Sequence, residues 1–397
     1  MFESDLSADD DRPLLNAPPL SAQKRILVLQ GGGALGSYQG GVYEALSKYD
    51  VLPDWVAGIS IGAINAAIIA GNPPEHRVER LRAFWTKASS GPFVSPPSAV
   101  SDGLRSYFNQ LSGAVVAAFG APGFFSPRLL GPLLSKPGTP ESISLYDTAP
   151  LRATLEQLVD FDLINNGPVR LSVGAVHIAS GNSALFDSAK MKIGPEHIMA
   201  SGALPPGFPP VWIDGEAYWD GGLVSNTPLE FVLDDSEHEN QLIFQVDLFN
   251  ARGAMPRNLL EVDERENDIR FSSRTRLNTD SNLKIHRVKV ALRKLLDSLP
   301  PEHRDRPEAA ILTDVAKENA VTVVQLIYRK RPYEGGSKDY EFSRQTMLEH
   351  WAAGFADVEH CFATQGEKLR RAAHPGVMVI DPGLDRPAAA QNSSRDP

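Results

Sequence analysis

The feature that most restricts what this chain can fold into is Gly58-Ile59-Ser60-Ile61-Gly62, set between the apolar run Trp55-Val56-Ala57 and the segment AINAAIIA at 63–70. That order reads as strand, tight turn and helix, with Ser60 at the turn. In a G-x-S-x-G elbow the glycines, here Gly58 and Gly62, remove Cβ atoms that would collide, and the serine hydroxyl projects above the sheet. The helix that follows aims its N-terminus at Ser60, where free N–H groups and the helix dipole favour developing negative charge. It is apolar on nearly every side apart from Asn65, which predicts burial at the centre of a domain.

Around this elbow the chain alternates strand and helix patterns. Residues 25–30, RILVLQ, form a short apolar run of the kind buried parallel strands show, and 37–49 carry Val42, Ala45, Leu46 and Tyr49 at helical spacing. A strand over 52–57 precedes the elbow, and an amphipathic helix over 75–88 follows it. Further on, the patterns predict a helix over 146–160, a strand over 169–180 and a helix over 195–201. A hairpin around Asp214-Gly215 and a buried strand over 242–249 complete the series. Such alternation gives an α/β fold whose sheet is covered on both faces. Residues 89–140, rich in Pro, Gly, Ser and Ala, read as an insertion rather than a core element. From about 255 the organisation shifts to a charged helical stretch up to 299 and a Pro-punctuated linker. A strand over 321–329 and a long helix over 342–373 follow. The expected division is therefore a disordered acidic tail (1–23), a main domain (24–255), a smaller helix-rich extension (256–381) and a disordered tail (382–397).

Bulk properties remove several function classes. A formal charge of −10 argues against nucleic-acid binding, which needs a basic surface. Cys361 is the only cysteine, so neither an intrachain disulfide nor a cysteine-rich metal site is expected. The N-terminus has no apolar signal region, and no run reaches the roughly 18–20 apolar residues of a membrane span. A cytoplasmic protein, at most peripheral to a membrane, is the expectation.

Two further glycine-rich sites share a purpose with the elbow. Gly31-Gly32-Gly33-Ala34-Leu35-Gly36 lies at a strand-to-helix turn, where consecutive glycines let backbone N–H groups converge on one oxygen atom, as an oxyanion hole requires. In Trp219-Asp220-Gly221-Gly222-Leu223, Gly221 and Gly222 let the aspartate approach another backbone closely. A nucleophilic serine needs a neighbour that takes its proton. Asp220 qualifies if it reaches Ser60 and if burial lifts its pKa from the ordinary ~3.9.

GGGALG near the start, GISIG some 25 residues later and DGG far downstream together resemble the patatin-like phospholipase family over about residues 24–250. The resemblance implies a three-layer α/β/α sandwich with a mostly parallel sheet, and a lipid acyl hydrolase that cleaves carboxylic esters without cofactor or metal. It implies Ser60 as nucleophile and Asp220 as its only side-chain partner, with an oxyanion hole drawn from Gly31, Gly32, Gly33 and Gly36. The substrate would be a lipid or another ester. Many members carry Arg or Lys just before the last glycine of the first motif; this chain has Leu35, so a charge suited to a phosphate headgroup is missing. The part beyond about 255 resembles an extension found in a bacterial subset of the family.

Rival readings exist. Gly31-x-Gly33-x-x-Gly36 also fits the dinucleotide fingerprint, with Asp54 at about the right distance for a ribose, although that reading leaves Ser60 and Asp220 without a role. A Ser-acid-His order could use Asp247 and His286; His177 and His197 read as structural or surface residues. A catalytically idle scaffold that binds lipid or protein is the third. Two other stretches bear on how substrate arrives. Residues 113–134 are apolar but broken by Gly and Pro, and read as either a packed cap or a mobile cover. Residues 273–299 carry Arg274, Arg276, Lys284, Arg287, Lys289, Arg293 and Lys294, the solvated face of a packed helix or a surface for anionic lipid.

Overall fold

A computed structural model describes residues 23–91, 102–128, 132–235, 240–300, 303, 306–316, 320–329, 334–335, 338–371 and 376–383. The tails expected over 1–23 and 382–397 fall outside these, apart from Gln23, Pro382 and Gly383. Strand β1 (Lys24–Leu29) runs through a 3-10 turn (Gly33–Gly36) into α1 (Ser37–Lys48). Next, β2 (Trp55–Ile59) passes through Ser60 into α2 (Ile61–Ala70), and α3 (Pro74–Ala88) follows. Then come α4 (Asp102–Phe119), the short pair β3 (Ser126–Pro127) and β4 (Tyr146–Asp147), α5 (Ala149–Leu158) and α6 (Phe161–Asn166). After β5 (Arg170–His177) and β6 (Ser183–Asp187), α7 (Pro195–Ser201) leads to the hairpin β7 (Val211–Ile213) and β8 (Glu216–Asp220). The chain continues through α8 (Leu229–Asp234), β9 (Gln241–Asp247), α9 (Leu259–Asp297) and α10 (Pro307–Val315). It ends with β10 (Ala320–Ile327), α11 (Arg344–Arg371) and β11 (Gly376–Ile380).

The main sheet runs β11-β10-β9-β1-β2-β5-β8-β7, with β6 also paired to β5. From β11 to β5 every neighbour is parallel, while β6, β8 and β7 add antiparallel pairs. Strand alternation divides the apolar side chains between two faces. Leu27, Leu29, Val56, Leu242, Phe244 and Val246 enter the larger core with α1, α2, α3 and α11. Ile26, Val28, Trp55, Ala57 and Ile243 face the other way, against Leu229 and Val232 of α8. Every residue of α2 is buried, as its unbroken apolar sequence predicts.

Three expectations change. The stretch from 256 contributes β10 and β11 to the same sheet, in register with β9 from Val321↔Gln241 to Ile327↔Asp247, so it shares one core with the upstream residues. The 89–140 stretch contains α4, which carries Val116 into the core, followed by buried Phe124 and Phe125. The helix expected over 146–160 starts only at Ala149, because Tyr146 and Asp147 pair with Ser126 and Pro127. In the basic stretch, Lys284, Arg293 and Lys294 are exposed on α9, whose Leu296 packs with Ala309 and Ala316. The side chains of Arg274, Arg276 and Arg287 lie outside the described residues. Among the described residues, no helix is long and apolar enough to cross a membrane.

Candidate active site

Ser60 sits where β2 ends and α2 begins, with φ 57 and ψ −124, a conformation a non-glycine residue adopts only under constraint. The constraint is visible in its neighbours. A Cβ at Gly58 would collide with the Gly62 carbonyl, and one at Gly62 with the Leu29 carbonyl. The Ser60 N–H donates to Ser201 Oγ at 3.0 Å, and that hydroxyl donates to the Gly174 carbonyl at 2.6 Å. Ser201, at the end of α7, thus ties the elbow to β5. Nothing in the local pattern marks it in advance, because a single buried serine leaves no periodic trace.

Asp220 ends β8, opposite Ala175 of β5, and is buried. Its Oδ1 accepts from the Gly222 N–H at 2.7 Å, and its own N–H donates to the Ala203 carbonyl at 3.0 Å. Burial raises its pKa to about 6, against the opposing pull of the Ser60 hydroxyl and the Gly222 N–H. The serine is therefore close enough to favour the charged carboxylate, yet Oδ2 has no well-formed hydrogen bond. Gly221 must be glycine: a Cβ there would stand 2.6 Å from the Gly174 carbonyl.

The four glycines of the first motif take different positions. Gly31 lies against Ser60, since a Cβ on it would be 3.0 Å from Ser60 Cβ. Its N–H is already donated to the Asn226 carbonyl at 3.1 Å, while Asn226 Nδ2 returns a bond to the Gly31 carbonyl at 2.9 Å. Gly36 packs in the interior against Ile61 and Trp85. Its carbonyl accepts from Asn65 Nδ2 at 2.9 Å; the same amide donates to Gln39 Oε1 at 2.8 Å and accepts from Trp85 Nε1 at 3.0 Å. The lone polar residue of α2 is thus fully satisfied and locks α1, α2 and α3 beneath the loop. The Ala34 N–H is donated to the Asp339 carbonyl at 2.7 Å. Only the N–H groups of Gly32 and Gly33 have no protein acceptor among the described residues. Leu35 is fully buried in the core, so the loop presents no cation at that position.

The rival readings meet specific obstacles. Asp54 lies just before β2 and accepts from Arg25 N (2.8 Å), Nε (3.1 Å) and a terminal guanidinium nitrogen (2.9 Å). It is occupied at the N-terminal ends of β1 and β2, the opposite end of the strands from the glycine loop, where it cannot reach a ribose bound there. Asp247 ends β9 and bonds Gln245 Nε2 at 2.7 Å; burial lifts its pKa to about 7. The His286 side chain lies outside the described residues. His177 bonds Ser180 and Glu216, and His197 bonds Gly194. Among the described residues no histidine bonds Ser60 or Asp220.

Comparison with known proteins places this arrangement. A family model described as Patatin-like phospholipase matches residues 27–233, more than half of the chain and all three glycine motifs. The chain belongs to the patatin-like phospholipase family. Its mostly parallel sheet with flanking helices is the patatin-like α/β fold. A second model, described as Patatin phospholipase, matches residues 269–373, the segment that supplies β10 and α11. The chain is similar to triacylglycerol lipase ptl3 of Schizosaccharomyces pombe, with 30% identity over 109 residues. That match covers 27% of this chain and 22% of the lipase. Among solved structures, VipD from Legionella pneumophila aligns with a TM-score of 0.39 and 14% identity, covering 89% of this chain and 68% of VipD. The type III effector ExoU aligns with a TM-score of 0.24 and 14% identity, over 88% of this chain and 62% of ExoU.

Proposed function

We propose that this protein is a lipid acyl hydrolase that cleaves carboxylic esters through Ser60 and Asp220. The observation that carries the reading is a constrained serine at a strand–helix elbow beside a buried carboxylate that titrates at about 6. A base of that pKa is largely charged at neutral pH and is a better proton acceptor than an ordinary aspartate. Asp220 takes the hydroxyl proton as Ser60 Oγ bonds to the ester carbonyl carbon, and the carbonyl electron pair moves to oxygen. The oxyanion is held by the free N–H groups of Gly32 and Gly33 and by the N-terminus of α2. Its collapse expels the alcohol, which takes the proton from Asp220. Water then repeats the sequence on the acyl-serine and releases the carboxylic acid. Gly31 and Gly36 serve this site by close packing rather than as donors.

Leu35, in place of a cation before Gly36, favours uncharged acylglycerol esters over phospholipids, in line with the triacylglycerol lipase of fission yeast to which the chain is similar. The test is a panel of mono-, di- and triacylglycerols, lysophospholipids and phospholipids assayed with wild type and Ser60→Ala. It is paired with a fluorophosphonate probe whose adduct is located by mass spectrometry. Ser60 should carry the label, and Ser60→Ala should lose both label and hydrolysis. Labelling elsewhere with activity intact in Ser60→Ala would sink the assignment.

A further inference from the structure

The oxyanion loop is a run of three glycines, the most flexible sequence a chain can offer, yet catalysis requires donors fixed before the charge forms. Something outside the loop must hold it, and the contact that does so comes from about 300 residues downstream. The Asp339 carbonyl accepts the Ala34 N–H at 2.7 Å and presses so closely on Gly33, which has φ +55, that any Cβ there would collide with it. This bond fixes the Gly33–Ala34 peptide plane. It also withdraws the third N–H from the loop and leaves those of Gly32 and Gly33 as the free pair.

The carbonyl is itself held at both ends. On one side, Lys338 is buried and its Nζ lies 2.5 Å from Asp268 Oδ1 and 3.5 Å from Glu264 Oε1, both buried on α9. The same ammonium stands 5.6 Å from the centre of the Phe249 ring, and a Cβ on Gly32 would come within 3.1 Å of that ring. On the other side, buried Glu341 accepts from Ser112 Oγ of α4 and from the Ser343 N–H at 2.8 Å. Burying the charges of Lys338, Asp268 and Glu264 is costly unless they satisfy one another, and no catalytic step above uses them or Glu341.

We propose that residues 338–343 form a clamp that sets the oxyanion loop, with Lys338 as its positioning residue. The proposal rests on the hydrolase reading for its kinetic consequence. Its geometric consequence stands alone: the Ala34 amide is protected from hydrogen exchange by a bond to a distant segment.

Both are measured on the full chain. Lys338→Met should lower kcat about tenfold or more, the scale of partial loss of one preorganised donor, with KM within about twofold because the charge exists only in the transition state. In the same variant Ala34 should exchange faster while the α2 amides keep their protection, and Lys338→Arg should recover most of both readouts. Should Lys338→Met fail to fold, Ser112→Ala loosens the opposite anchor more mildly, since Glu341 keeps its bonds from the Ser343 N–H and hydroxyl; it should give about a threefold kcat loss with the same exchange signature. Unchanged Ala34 protection in these variants overturns the clamp, as does a kcat loss matched by uniformly faster exchange across α2. A wild type that lacks Ser60-dependent hydrolysis removes the hydrolase reading instead, and exchange at Ala34 still decides the clamp.

Discussion

Asp220, the base of the proposed mechanism, also carries a cost in stability. Its carboxyl titrates at about 6 in the folded chain against an ordinary 3.8, mainly because burial penalises the charge. For catalysis the charged form is needed, so kcat/KM should rise through about pH 6 and level off above it. Asp220→Asn should lose that limb and roughly 10²–10⁴ of the rate. The sign for stability is opposite. Between the two pKa values the folded state binds more protons than the unfolded one, so raising the pH across that interval destabilises the protein. The penalty is complete above the folded value and absent below the unfolded one. Asp220→Asn should therefore be more stable than wild type at pH 8, by at most on the order of 3 kcal/mol, and indistinguishable below about pH 3.5. Urea melts of both proteins across that range measure it, and a variant less stable at pH 8 would refute the burial account. Much at this scale is readable in the sequence, since Gly58, Gly62 and Gly221 mark close backbone approaches. The roles of Ser201, Asn226 and Asn65 are not, because each acts through hydrogen bonds to residues distant in the chain, which leave no periodic pattern.

Among the elements, the pairing of α1 with α11 governs how the C-terminal region reaches the site. Gly41 lets the Trp351 carbonyl approach α1, and Gly354 lets the Tyr38 carbonyl approach α11; a Cβ at either glycine would collide with backbone. Around this crossing, Tyr38 OH donates to Asp357 Oδ2 at 2.6 Å and Trp351 Nε1 to Glu44 Oε2 at 2.6 Å. Gly354→Ala should raise local helix propensity yet destabilise the protein, by about 1–3 kcal/mol, because overpacking between backbones outweighs the gain. An unchanged or higher melting temperature would show that the helices separate freely. The helices themselves follow their apolar spacing closely: α1, α3, α7 and α11 lie within about two residues of where the periodicity puts them. Less legible are β11, whose five residues border the undescribed tail, and α4, whose Gly and Ala content hides a helix behind the composition of a loop.

For the whole molecule the question is where the patatin-like unit ends. Two family models divide the chain at 233 and 269, and the change in composition near 255 invites the same cut. Sheet pairing argues against it. Local sequence reports that residues 321–329 make a strand but not which strand it joins, and here β10 joins β9 along its full length. Leu242, Ile243, Phe244 and Val246 are buried, on both faces of the sheet. A chain ended after Leu299 would leave β9 as an unpaired parallel edge with apolar side chains on both sides, the arrangement most prone to intermolecular pairing. It would also lose α11 from the α1 face and the carbonyl that holds Ala34. Such a chain should elute as aggregates in size-exclusion chromatography, show no cooperative urea transition and lack Ser60 labelling. A soluble monomer of residues 1–299 with wild-type kcat would show instead that the upstream part is a complete enzyme and the downstream part an accessory. The sheet favours the first outcome, because the strand that would be exposed is as buried as any in the core.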